Sequence, residues 1–150
     1  MGKRTGKAST SVLWTNLFKS ASAKTYLENN GEELGLPTFA EYITGCCRER
    51  GEVPERVIKR AGIERAFGHQ IFRGIRNPSR DSVLQLAFGF EADVEQTQLL
   101  LRHAGHCALY PRIKRDATIS YCLKNGYSLI ETQQTLSELA LPLIGGDKNE

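Results

Sequence analysis

No run in this 150-residue chain approaches the apolar length that a membrane-spanning helix needs. The N-terminus carries lysines but lacks the apolar core of a signal peptide. The expectation is a cytoplasmic protein with no membrane partner. Cysteine is scarce: four residues, none in a CxxC pair, fit a compartment where thiols stay reduced. His103, His106, Cys107 and Cys122 come nearest to a ligand set, but zinc sites declare themselves by paired spacing. These side chains are read as ordinary buried or surface groups, and no metal or other cofactor is expected. A glycine-rich phosphate loop, HExxH and GxSxG are all missing. Ser, His and Asp occur at no spacing that names a mechanism, so the expectation is that the protein is not an enzyme.

What is present is an ordinary folded composition, 40% hydrophobic and 25% charged, with an uneven distribution of charge. The net +3 is modest. Residues 38–80 hold nine Lys/Arg against five Asp/Glu, and residues 81–109 one against four. Residues 110–127 hold four against one, and residues 128–150 one against four. Between Arg65 and Arg80 there are four arginines and no acid, the local field that an anionic polymer backbone would meet.

The first ten residues are small, polar and basic, and are expected to be disordered. Val12, Leu13, Leu17, Tyr26 and Leu27 predict one or two short helices ending near Asn29, with Trp14 and Phe18 four apart. Breaks at Asn29-Asn30-Gly31 and Gly35-Leu36-Pro37 set this N-terminal appendage, residues 1–37, apart from the rest of the chain. Thr38 and Glu41 have capping-box spacing. Phe39, Tyr42, Ile43 and Cys46 then form the apolar face of a helix closed by Gly51.

Residues 53–80 organise the remainder. Pro54 suits a first helical turn, Val57, Ile58 and Ala61 recur at helical spacing, and Gly62 ends the helix. Ile63 is the apolar plug of the turn. A second helix runs from Glu64 to about Arg73, with Phe67 and Ile71 inward, and Gly74 stops it. Asn77-Pro78-Ser79 is turn chemistry. A further helix runs from Ser79 or Arg80 to Phe88, and Asp93 caps the next, with Val94, Thr97, Leu100, Leu101 and Ala104 inward.

Gly62-Ile63, Ile71, Arg73-Gly74 and Arg76-Asn77-Pro78-Ser79, leading into the helix over residues 81–87, resemble the helix-turn-helix of the XRE, or lambda-repressor-like, regulators. The likeness spans about residues 38–101. It implies an all-α fold: a lambda-repressor-like helix-turn-helix bundle over residues 38–105, with the appendage before it and an additional helical hairpin over residues 106–150. It also implies sequence-specific binding of double-stranded DNA by a transcriptional regulator. Base edges would be met by Arg65, Ala66, His69, Gln70 and Arg73, and phosphates by Arg76, Asn77, Ser79 and Arg80. Glu55, Glu64 and Gly68 depart from the family's usual residues. They favour the alternative of a protein-interaction adaptor that kept the fold and lost the DNA.

Aligning Asp81 with Asp116, an offset of 35, matches Leu84 to Ile119, Phe88 to Leu123, Val94 to Leu129, Thr97 to Thr132, Gln98 to Gln133, Leu101 to Leu136 and Ala104 to Leu139. One helix pair cannot bury its apolar stripe alone, so a second pair stacked on the first is expected. The two tail helices, residues 94–104 and 129–139, are candidates for a homodimer or protein-partner contact as well as for intramolecular core. Gly145-Gly146 and the charged end are expected to fray.

Overall fold

A computed structural model describes residues 8–145. Residues 1–7 of the expected basic tail, and residues 146–150 of the expected frayed end, lie outside the described residues. Among the described residues the fold is all-α, with nine α-helices and no strand. The chain divides into two compact units, Met1–Leu36 and Pro37–Glu150. The parts expected at residues 38–105 and 106–150 therefore belong to one unit.

The first unit holds α1 (Thr10–Lys19), α2 (Ala23–Asn29) and one turn of 3-10 helix (Gly31–Glu33). Ser9 and Ser22 cap the two helices through their hydroxyls. The backbone N–H of Ala8 donates to Glu33 at 2.7 Å, and Asn16 donates to Asn30 at 3.1 Å. None of the residues in these three elements is buried, and Trp14 stacks on Phe18 with ring centres 5.4 Å apart.

The second unit begins with α3 (Phe39–Arg50), opened by the Thr38–Glu41 capping box and closed by Gly51 in the left-handed region. Then come α4 (Pro54–Arg60), α5 (Arg65–Phe72), α6 (Arg80–Gly89) and α7 (Val94–His103). Helix α6 is the hub, packing on α4, α7 and later on α9, and six of its ten residues are buried. The core runs through Ile43, Val57, Ile58, Ile71, Val83, Leu84, Leu86, Leu100 and Leu101. Gly68, a costly residue inside a helix, is buried because Ile58 lies against it: a Cβ there would come 2.5 Å from Ile58 Cγ2. Arg50 and Arg60 donate to the carbonyls of Phe90 and Gly89 and so cap the end of α6.

Helices α8 (Lys114–Lys124) and α9 (Leu129–Glu138) repeat several contacts of α6 and α7. Gln98 exchanges hydrogen bonds with the backbone of Leu109, as Gln133 does with Ile144. The buried hydroxyl of Thr97 donates to the Asp93 carbonyl, as that of Thr132 does to Ser128. Capping boxes open both α7 and α9. The left-handed residues also recur, Gly105 with Ala140 and Glu91 with Gly126.

The two hairpins clasp each other reciprocally. Arg80 makes a two-pronged ion pair with Asp116, its Nη atoms 3.2 and 3.0 Å from the carboxylate oxygens, and Arg115 does the same to Asp81 at 3.1 and 2.9 Å. Each guanidinium also donates to two carbonyls of its own hairpin, Cys107 and Ala108 for Arg80, Pro142 and Leu143 for Arg115. The Tyr110 N–H donates to Asp116, and the Gly145 N–H to Asp81. Contacts that exchange partners in this way are those of two repeats related by a local two-fold axis passing between the first turns of α6 and α8. The apolar tail positions expected to be core or interface, Leu100, Leu101 and Leu136, are buried inside this unit.

Candidate nucleic-acid interface

Helix α5 has two faces. Gly68, Ile71 and Phe72 are buried, and Phe67 is half-buried against the core. The opposite side carries Arg65 and Ala66, both exposed, with the exposed Arg73 at the C-cap and His69 and Gln70 at the flank, half-buried. With Phe67 and Ile71 inward, four of the five expected base-reading positions lie on α5 away from its buried side, and the fifth, Arg73, caps its end.

The turn before α5 is held from two later helices. Gly62 sits at φ 68°, and the Ile63 N–H donates to the Ile58 carbonyl. Gln85 of α6 donates to the Ala61 carbonyl at 3.1 Å, and Leu129 of α9 lies where a Gly62 Cβ would come within 3.1 Å of it. Glu64 caps α5 with its carboxylate, accepting from the N–H groups of Phe67 and Ala66 at 2.9 and 3.1 Å. Those two hydrogen bonds hold its carboxyl below the usual carboxylate range.

Glu55 of α4 reaches across to α5. Its Oε2 accepts from Arg65 Nε at 2.7 Å, and its Oε1 lies 2.8 Å from His69 Nε2. The hydrogen bond from Arg65, then that from His69, holds the Glu55 carboxyl below its usual range. Two of the five base-reading candidates are therefore engaged by one carboxylate. Gln70 and Arg73 have no side-chain partner among the described residues.

Beyond α5, Arg76 and Asn77 are exposed in the loop over residues 75–79 and their side chains are free of partners. The other two expected phosphate residues are committed elsewhere. The Ser79 hydroxyl caps α6, accepting from the Ser82 N–H at 3.1 Å. The Arg80 guanidinium is the clearest case: hydrogen bonds tie it to Asp116 and to the carbonyls of Cys107 and Ala108, the geometry of a planar, two-pronged cation. Both residues are half-buried, and both side chains are engaged within the protein.

A cleft of about 710 Å³ lies between the first turn of α3 and the end of α5, and it gathers Arg48, Arg73 and Arg76 against the single carboxylate of Glu41. Arg48 was not among the sequence candidates. It lies 25 residues before Arg73 (48 to 73), and only the packing of α3 on α5 brings the two together. Among the described residues no group of three His, Cys, Asp or Glu side chains is arranged to hold a metal ion. No helix of the described residues is long and apolar enough to cross a membrane. No protein-family model matches the chain, and no curated protein or solved structure matches it.

Proposed function

We propose that this protein binds double-stranded DNA sequence-specifically as a transcriptional regulator, with α4 and α5 acting as a lambda-repressor-like helix-turn-helix and α5 entering the major groove. The observation that carries this reading is the two-sided character of α5: an apolar side seated in the core, and an outward side of Arg65, Ala66, Gln70 and Arg73. Arginine recognises guanine through two parallel hydrogen bonds, and glutamine does the same with adenine. Arg76 and Asn77 then take phosphates, and Arg48 with Arg73 enlarges the cationic cleft beside them. These contacts fix register without carrying sequence information.

One observation favours a second reading, a protein-interaction adaptor. Glu55 neutralises Arg65 and faces His69, which a protein surface tolerates better than a DNA surface does. Selection of bound sequences from a random duplex pool separates the two. A DNA reader returns a shared motif, and Arg65→Ala with Gln70→Ala flattens it, while Arg76→Ala weakens binding to all sequences. A pool that returns no motif and no Arg76-dependent binding leaves the adaptor.

A further inference from the structure

The two-fold relation gives the loop over residues 75–79 a counterpart. Each loop runs into the first turn of a hairpin, α6 for one and α8 for the other, and the offset of 35 matches Asn77 to Arg112 and Ser79 to Lys114. The two loops are also joined physically. His106 Nε2 lies 2.9 Å from the Pro78 carbonyl oxygen, and Arg80 binds the carbonyls of Cys107 and Ala108, so the segment leading to residue 110 runs directly beside the loop after α5. The paired arginines and aspartates hold the first turns of α6 and α8 side by side.

In this second loop Tyr110, Pro111, Arg112, Ile113 and Lys114 are all exposed. The side chains of Arg112 and Lys114 have no hydrogen-bond or ion-pair partner among the described residues. The nearest acid in sequence, Asp116, is 2% exposed and already neutralised by Arg80. Two unopposed cations therefore stand where the chain enters α8, whose first turn the clasp holds beside that of α6, the helix that follows Arg76 and Asn77, whereas Ser79 and Arg80, expected to grip phosphate, are half-buried and engaged within the protein.

We infer that residues 110–114 form a second phosphodiester-binding site, with Arg112 and Lys114 as its cations, that extends the DNA contact beyond the turn after α5. This rests on the DNA-binding reading. The hairpin of α8 and α9 is then a lateral extension of the DNA surface. Its partner is the sugar-phosphate backbone flanking the bases that α5 reads, so Arg112 and Lys114 add affinity without sequence preference.

The test is the salt dependence of binding to a fluorescent mixed-sequence duplex, followed by anisotropy for the wild type, Arg112→Ala/Lys114→Ala, Arg112→Glu/Lys114→Glu and Arg76→Ala. Circular dichroism reports folding, and both sites are exposed. The inference expects the slope of log affinity against log salt to fall by about 2 in the double alanine variant, one for each cation. The double glutamate variant should bind more weakly still at every salt concentration. An unchanged slope in both double variants, with Arg76→Ala still weakening binding, overturns this inference and leaves the DNA-binding reading intact. A wild type with no salt-dependent duplex binding overturns both.

Discussion

Glu55 holds Arg65 across the turn between α4 and α5, carboxylate oxygen to guanidinium nitrogen at 2.7 Å, although the two side chains are 53% and 75% exposed. Exposed pairs of this kind add little to stability. The consequence lies in where Arg65 points and in what a phosphate or base must displace to reach it. Glu55→Gln keeps the shape and removes the charge. It should leave the thermal midpoint unchanged and raise duplex affinity several-fold at low salt, read by fluorescence anisotropy, because a carboxylate leaves the surface that meets the backbone. Unchanged or weaker binding would mean that Glu55 orients Arg65 more than it opposes DNA.

The clasp predicts an acid transition that can be assigned to one residue. Burial pushes the Asp81 carboxyl up, but hydrogen bonds from Arg115 and the Gly145 N–H, with the charges of Arg115 and Arg80, outweigh it and hold the carboxyl below its ordinary value. A carboxyl depressed in the folded state contributes stability that is fully present above its unfolded value, near 4, and is lost as pH falls through the folded value. Asp81→Asn should therefore be less stable than wild type by about 2 kcal/mol at pH 6, by loss of charge-assisted hydrogen bonds. The gap should narrow below about pH 4. Urea midpoints across that range measure it. A gap of constant size would remove the titration of Asp81 from the account.

Asp116 is the buried member of the reciprocal pair, and Asp116→Asn leaves Arg80 without its countercharge. The expected loss is about 3 kcal/mol, larger than for Asp81→Asn, because breaking one side of a buried ion pair strands the other. Denaturant unfolding of the two variants compares them directly. Equal losses would show that burial does not distinguish the two halves of the clasp.

Gly68→Ala should destabilise the protein despite alanine's better helix propensity. The added Cβ would meet three Ile58 carbons at 2.5 to 2.9 Å. Overpacking costs about 1–3 kcal/mol, against a propensity gain of about 1 kcal/mol. Ile58→Ala creates a void, and the double variant should recover part of the combined loss. Additive losses in chemical denaturation would show that the two residues do not share one space.

Local chemistry made much of this fold readable in the sequence. The Thr38–Glu41 box, Pro54, the Gly62 turn and the cap at Asp93 each act within a few residues, so their spacing suffices. The offset of 35 was visible because equivalent positions bury equivalent side chains, Leu84 with Ile119 and Leu101 with Leu136. The long-range partners were not readable. Arg80 finds Asp116, 36 residues on, and nothing in the sequence separates an arginine that clasps a carboxylate from one that awaits a phosphate. Glu55 stood out as an unusual residue, but its hold on Arg65, ten positions away on another helix, depends on the angle at which α4 meets α5. Gly68 was anomalous in sequence and is explained by one neighbour, so it no longer counts toward the adaptor.

The most direct measurement of the central claim is a heteronuclear NMR titration of the labelled protein with a duplex from the selected pool. DNA reading through α5 predicts the largest amide shifts at Arg65, Ala66, His69, Gln70 and Arg73, with Arg76 and Asn77 beside them. Shifts confined to other helices, or a spectrum that the duplex leaves unmoved, would contradict it.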